Sequence, residues 1–169
     1  MSAWIEMISD ENASSELKEI LNLARTPHGT VDNVMRIHSL RPNTMKGHVT
    51  LYRAALHDES NKIPMWFQET ISSYVSMLNK CDYSLANHWK NAVHLMGSEQ
   101  DANKIEKALK AQHPENAFEG EQLAMLEYAE KLTLKPGNMI EEDVEQLRNE
   151  GIDDGKILEL NQIVGYFNY

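Results

Sequence analysis

The chain contains a single cysteine, Cys81, among its 169 residues. A disulfide within one chain needs two cysteines, so an internal disulfide framework is excluded and a reducing cytoplasm is the expected location. No apolar run approaches the roughly 20 residues that a transmembrane helix requires. The first residues also lack a basic segment followed by an apolar stretch. We therefore expect neither a membrane span nor a secretory signal.

Positive charge is scarce as well. Sixteen lysines and arginines stand against 26 aspartates and glutamates, which gives a net charge of −10 at pH 7. This balance argues against nucleic acid and against an anionic membrane surface as partners. The sequence also has no Gly-rich phosphate loop, no Gly-x-Ser-x-Gly elbow and no His-Glu-x-x-His motif, so no cofactor is expected from any of these.

Helical periodicity dominates what is present. No stretch alternates regularly enough to predict a strand, and the prolines lie where elements begin or end. Apolar stripes at helical spacing recur along the chain, for example at Phe67, Ile71, Tyr74 and Leu78. We predict an all-α fold with a single domain over residues 1–169, its helices packed around the helix that carries Cys81 and His88. The apolar segment 163–169 predicts either docking on a partner subunit or a natural chain that continues beyond this point.

Three polar side chains share one face of that helix. Cys81 and Ser84 are three residues apart, and Ser84 and His88 are four apart, so all three lie along one stripe if the segment is helical. Cys81 would then occupy the first turn, where unpaired backbone N–H groups and the helix dipole favour a thiolate. Ser84 is placed to donate a hydrogen bond to the sulfur, and His88 to exchange a proton.

Simpler interpretations stand beside this one. A lone cysteine in a helical protein is more often a small buried side chain than a nucleophile, and aromatic residues such as Tyr83 more often pack in a core or interface. A metal site built from His38, His48 and His88 is not favoured, because no two of them show the spacing of helical ligand pairs. We therefore expect no metal. His48 is a weaker candidate for lining a pocket, as is Tyr83.

Glu69, Cys81, Ser84 and His88, with Asn79 before the cysteine, resemble the core of the alkylhydroperoxidase D proteins in the carboxymuconolactone decarboxylase superfamily. That core has a glutamate, then Asn-x-Cys-x-Tyr-Cys, then a histidine four residues later. Further similarity, over about residues 5–169, is to the branch of peroxidase-related proteins, in particular at 31–42, 47–52 and 165–169.

The resemblance implies an all-helical protein that assembles into dimers, trimers or hexamers and reduces peroxides or recycles a peroxiredoxin. It implies that Glu69 and His88 form a proton relay and that Cys81 is the redox thiol. Its partners would be a peroxide or thiol and a reductant protein. Independently of the resemblance, His48 and Tyr83 are weaker candidates for contacting the substrate.

Ser84 departs from the pattern, because it stands where the second cysteine is expected. A serine cannot resolve an oxidised cysteine as a disulfide. Three explanations stay open: a one-cysteine peroxidase or thiol transferase, a protein with a non-redox role, or an engineered replacement. The non-redox alternatives are a decarboxylase-like or isomerase-like enzyme acting on a small carboxylated metabolite, with Arg53 as a candidate anchor, and a non-catalytic oligomeric binding protein.

Overall fold

The computed structural model of the protein describes residues 3–26 and 28–169. Every regular element in these residues is a helix, and none of them forms a strand, so the predicted all-α class is confirmed. Their helices fall into two compact units, Met1–His57 and Asp58–Tyr169. A single domain over residues 1–169 stays a prediction. No helix in the described part of the chain is long and apolar enough to cross a membrane.

The described residues of the first unit form three α-helices and one 3₁₀ turn. These are α1 (Ser15–Leu23), α2 (Asn33–Arg36), the 3₁₀ turn Ile37–Leu40 and α3 (Pro42–Leu56). Ser14 caps α1, because its hydroxyl accepts the backbone N–H of Leu17 at 3.2 Å. Pro42 begins α3 at a position where no backbone donor is needed. The core of this unit consists of buried apolar side chains from α1, α2, α3 and the segments just before α1 and α2. They include Leu17, Leu21, Met35, Met45 and Val49.

The second unit contains six α-helices among its residues. They are α4 (Met65–Leu78), α5 (Asp82–Met96), α6 (Glu99–Lys110), α7 (Gly120–Leu134), α8 (Glu141–Asn149) and α9 (Asp154–Asn168), with 3₁₀ turns at Pro114–Asn116 and Pro136–Asn138. Two of these helices begin at residues whose side chains cap them. Ser98 accepts the backbone N–H of Asp101, and Asp153 accepts that of Lys156.

The helix at the centre of this unit is α4, and α5, α6, α7 and α9 all pack against it. Eleven of its fourteen residues are buried, whereas α5 has one buried residue, Ala92. The expected arrangement of helices around the Cys81–His88 helix is therefore corrected: α5 packs against the centre and is not itself the centre. The physical reason is that α4 can be buried on all sides, since its hydroxyls, including those of Ser72, Ser73 and Ser76, donate to carbonyls four residues earlier.

A tight turn joins α4 to α5 and places Cys81. The N–H of Lys80 donates to the carbonyl of Met77 at 3.0 Å, and the N–H of Cys81 donates to the carbonyl of Ser76 at 2.9 Å. These two bonds form a Schellman motif, with Lys80 in the left-handed conformation at φ 54°. The same Cys81 is the N-cap residue of α5. The thiol thus stands at the junction of two antiparallel helices, one ending and one beginning.

Candidate functional site

Cys81 is exposed at this junction. Its side chain does not cap α5, and its sulfur has no hydrogen-bond partner among the described residues. The start of a helix nevertheless surrounds it with backbone N–H groups that have no partner within the helix. The position therefore combines access from solvent with a place at the positive end of the α5 dipole.

Glu69 on α4 and His88 on α5 form a hydrogen-bonded pair. The Oε2 atom of Glu69 lies 2.7 Å from Nδ1 of His88. The Glu69 side chain is 5% exposed and that of His88 is 16% exposed, so little water screens the pair. Asn91 adds a long contact from its Nδ2 to the other carboxylate oxygen at 3.4 Å. The sequence predicted both residues of this pair, and the structure brings them together.

The pairing defines which nitrogen of His88 is available for chemistry. A carboxylate can only accept, so Nδ1 carries the hydrogen and donates it to Glu69. In the neutral imidazole, Nε2 then has a lone pair that can take up a proton, and Glu69 stabilises the imidazolium that results. This is the geometry of a general base oriented by a buried carboxylate.

Among the described residues, Ser84 forms no hydrogen bond with the Cys81 sulfur, which differs from the prediction. Its hydroxyl oxygen lies 2.9 Å from that of Ser76, and the Ser76 hydroxyl lies 2.8 Å from the carbonyl of Ser72. In both contacts the Ser76 hydroxyl is placed as the donor, so Ser84 accepts in the serine pair. This bond ties the Ser84 hydroxyl to α4.

Along the helix, Ser84 lies closer to His88 than Cys81 does. At 1.5 Å per residue, positions 81 and 88 are separated by about 10 Å along the helix axis. Ser84 lies between them on the same face. The side chain nearest to His88 along this stripe is therefore a hydroxyl, and the thiol is the more distant of the two.

Two residues of α9 also reach the site, and sequence reasoning did not assign them a role. The ring of Phe167 packs edge-on against the imidazole of His88, with centroids 4.6 Å apart and planes at 88°. Asn168 accepts a hydrogen bond from the side chain of Asn79, the residue at the start of the Cys81 turn, at 2.8 Å. Both contacts span more than 75 residues of sequence, so periodicity carries no signal for them.

The remaining candidates occupy other positions. Tyr83 is 39% exposed on α5. His48 and Arg53 belong to α3 in the first unit, where Arg53 donates to the carbonyl of Leu23 at 2.7 Å. Their roles towards a substrate stay predictions. Within residues 3–26 and 28–169, no three histidine, cysteine or acidic side chains form a group suited to a metal ion.

His48 has a partner that its spacing did not reveal. Its Nδ1 lies 2.9 Å from Nε2 of His38, and the two rings meet edge to face with centroids 4.8 Å apart. Burial, with a smaller contribution from His38, lowers the pKa of His48 from 6.5 to about 4. Burial also lowers the pKa of His38. Both rings are therefore neutral in the folded unit at pH 7.

We expect the first unit to lose stability as the pH falls from about 6.5 to about 4, the unfolded and folded pKa values of His48. In this range the unfolded chain binds a proton at residue 48 and the folded chain does not, so protonation favours unfolding. Replacing His48 by glutamine, which stays neutral, is expected to flatten this dependence. Hydrogen exchange of the α3 amides as a function of pH measures it, with His113→Gln in the other unit as control. An unchanged slope in His48→Gln would contradict the assignment.

Comparisons with known proteins place the fold. No protein-family model matches the sequence, and no curated protein matches it significantly. Several solved structures do match by shape, among them the following two. One is described as an uncharacterized peroxidase-related protein from Silicibacter sp. TM1040, with 24% sequence identity and a TM-score of 0.79, over 99% of this chain and 84% of the other.

The second is described as an alkylhydroperoxidase AhpD core, an uncharacterized peroxidase-related protein from Ralstonia eutropha JMP134. It shares 18% identity at a TM-score of 0.78, over 96% of this chain and 83% of the other. At these identities the likeness concerns the fold. The protein has the all-helical fold of the AhpD-like proteins, and at this level the resemblance predicted from its sequence is confirmed.

Proposed function

We propose that the protein is a one-cysteine peroxidase in which Cys81 is the attacking thiol. The observation that carries the proposal is the buried Glu69 carboxylate hydrogen-bonded to His88, on the helix that begins at the exposed thiol. An oriented imidazole of this kind is what a thiol needs in order to lose its proton. The peroxidase-related descriptions of the two proteins that share the fold support the same chemistry.

The proposed first step converts the thiolate into a sulfenic acid. The sulfur of Cys81 attacks one oxygen of the peroxide, a sulfur–oxygen bond forms, and the oxygen–oxygen bond breaks. The sulfur is oxidised by two electrons, and the departing oxygen takes a proton and leaves as water or an alcohol. The thiol proton passes to Nε2 of His88 through intervening water, because positions 81 and 88 are about 10 Å apart along the helix axis. His88 supplies a proton to the leaving oxygen, while Glu69 holds Nδ1.

The second half of the cycle needs a thiol from outside the chain, because Ser84 cannot form a disulfide with Cys81. A small thiol or a reductant protein attacks the sulfenic acid, water leaves, and a mixed disulfide forms at Cys81. A second thiol then releases Cys81 as the reduced thiol and leaves as an external disulfide. The exposure of Cys81 is compatible with an attacking thiol of either size. Assembly into dimers, trimers or hexamers and a cytoplasmic location remain part of this proposal.

Reactivity of Cys81 is the direct test. The protein is treated with stoichiometric hydrogen peroxide in the presence of a sulfenic-acid probe, and the labelled peptide is identified by mass. We expect rapid labelling at residues 79–88 in the unaltered protein and none in Cys81→Ala, in which the thiol is absent. Absence of labelling at neutral pH in the unaltered protein would refute the peroxidase proposal and would favour a search for a bound carboxylated metabolite.

A further inference from the structure

The last turn of α9 contacts the candidate site at two separate points. Phe167 touches the His88 imidazole, and Asn168 is bonded to Asn79 at the start of the Cys81 turn. The two α9 residues are consecutive, so a single helical turn meets both the proton-accepting group and the segment that carries the thiol. Neither residue has an ionisable or nucleophilic side chain, so any role they have acts through the groups they hold.

Phe167 restricts the rotation of the His88 ring about its hydrogen bond to Glu69. The hydrogen bond at Nδ1 fixes one edge of the imidazole but still permits the ring to swing about that bond. The Phe167 ring stands nearly perpendicular to the imidazole, at 88°, and is itself half-buried. Edge-to-face contacts of this kind are directional. The Phe167 ring therefore limits where Nε2 of His88 can point.

Asn168 connects the Cys81 turn to a third helix. Its Oδ1 accepts from Nδ2 of Asn79 at 2.8 Å, and its own Nδ2 donates to the hydroxyl of Thr133 on α7 at 3.2 Å. The amide thus uses both of its ends, and the turn is held to α9 and, through it, to α7. Because Cys81 is two residues after Asn79, this chain of bonds fixes the backbone from which the thiol projects.

We propose that Phe167 and Asn168 are positioning residues: Phe167 sets the orientation of His88, and Asn168 sets the position of the Cys81 turn. This inference rests on the proposed peroxidase function for its kinetic consequence. Reaction rates depend steeply on how well reacting groups are placed, and displacements of about 1 Å change rates by up to about a hundredfold. Loosening either contact is expected to slow oxidation of Cys81 while leaving the residues that perform it intact.

The kinetic test uses a matched pair of variants on α9. Asn168→Ala removes a hydrogen bond from α9 to α7 together with the bond to Asn79. Asn161→Ala removes a different α9–α7 bond, from Asn161 to the hydroxyl of Tyr128 at 2.9 Å, without touching the site. We expect Asn168→Ala to slow peroxide oxidation of Cys81 about tenfold and Asn161→Ala to leave it unchanged. Equal rates in the two variants would overturn the role of Asn168.

A double-variant cycle separates positioning from a general loss of stability. If Asn79 and Asn168 act through their mutual bond, Asn79→Ala slows oxidation as Asn168→Ala does, and the double variant is no slower than either one. Additive losses would contradict a shared role. Thermal unfolding of all four variants is compared in parallel. If the oxidation rate falls in proportion to the loss of stability in every variant, Asn161→Ala included, the inference is contradicted.

The role of Phe167 has a readout that does not depend on peroxidase activity. Nitrogen-15 NMR of the His88 ring reports its tautomer and its motion, and Phe167→Leu retains an apolar side chain while removing the ring. We expect the His88 signals to broaden or shift in Phe167→Leu and to stay unchanged in Asn161→Ala. Unchanged His88 signals in Phe167→Leu would overturn this part of the inference. If Cys81 of the unaltered protein does not react with peroxide, the proposed function fails, and the NMR comparison still decides the positioning.

Discussion

Replacing His88 by alanine is expected to slow the oxidation of Cys81 by peroxide about a hundredfold to ten-thousandfold at neutral pH, the range that a positioned general acid or base contributes. The variant retains the thiol and its place at the start of α5. It loses the imidazole that takes the proton from the thiol and returns one to the leaving oxygen. Stopped-flow measurement of the second-order rate constant with hydrogen peroxide, repeated across pH, gives the size of the effect.

His113 provides a matched control for this variant. Its Nδ1 lies 2.9 Å from a carboxylate oxygen of Glu115, so it has the same pairing as His88 and Glu69, but the two side chains are 62% and 52% exposed. His113→Ala is therefore expected to leave the rate constant unchanged. A rate constant for His88→Ala within a factor of about two of the unaltered protein would refute the proton-transfer role, since that difference is far below the contribution of a general base.

Because Glu69 is buried, the His88→Ala substitution also affects stability. Removing His88 leaves a 5% exposed carboxylate without its main partner, and an unpaired buried charge is strongly destabilising. The double variant Glu69→Gln/His88→Ala replaces that charge by a neutral amide. We expect it to recover stability but not rate. Recovery of both would show that His88 acts only through the structure of the α4–α5 pair.

Replacing Ser84 by cysteine is expected to change the product of the reaction. Two cysteines three residues apart at the start of a helix are the arrangement in which one thiol attacks and the other resolves the intermediate. After one equivalent of peroxide, the Ser84→Cys protein should lose two hydrogens by forming a disulfide, whereas the unaltered protein gains one oxygen at Cys81. With a dithiol reductant the variant should turn over repeatedly. Intact-protein mass and reductant-dependent peroxide consumption measure the two effects.

Ser84→Ala is the control for this substitution, because it also removes the hydrogen bond to Ser76 but adds no thiol. It should retain single oxidation at Cys81 and form no internal disulfide. If Ser84→Cys instead oxidises at Cys81 alone and keeps its second thiol free, the residue 84 side chain does not reach the sulfur. The packing of α5 against α4 would then determine the orientation of this position regardless of the side chain.

The sequence predicts structure best where the determinants are local. The start of α1 at Ser15, of α3 at Pro42 and of α9 at Asp154 follow from caps and proline positions that act within one helical turn. The apolar stripe of α4 was also correctly predicted. The burial of the opposite side of α4 was not predicted. Ser72, Ser73 and Ser76 on that side are polar, and they become buried only because their hydroxyls donate to carbonyls of the same helix.

For the candidate site, the sequence by itself determined the stripe of Cys81, Ser84 and His88, because helical spacing places side chains three and four residues apart on one face. It pointed to Glu69 through a resemblance to known proteins. Only the packing of α5 against α4 decided that this carboxylate meets Nδ1 of His88 and that Ser84 bonds to α4 instead of to the sulfur. Packing of α9 likewise decided that Phe167 and Asn168 reach the site. Contacts between distant segments depend on how whole helices fit together, and no local pattern of residues encodes that fit.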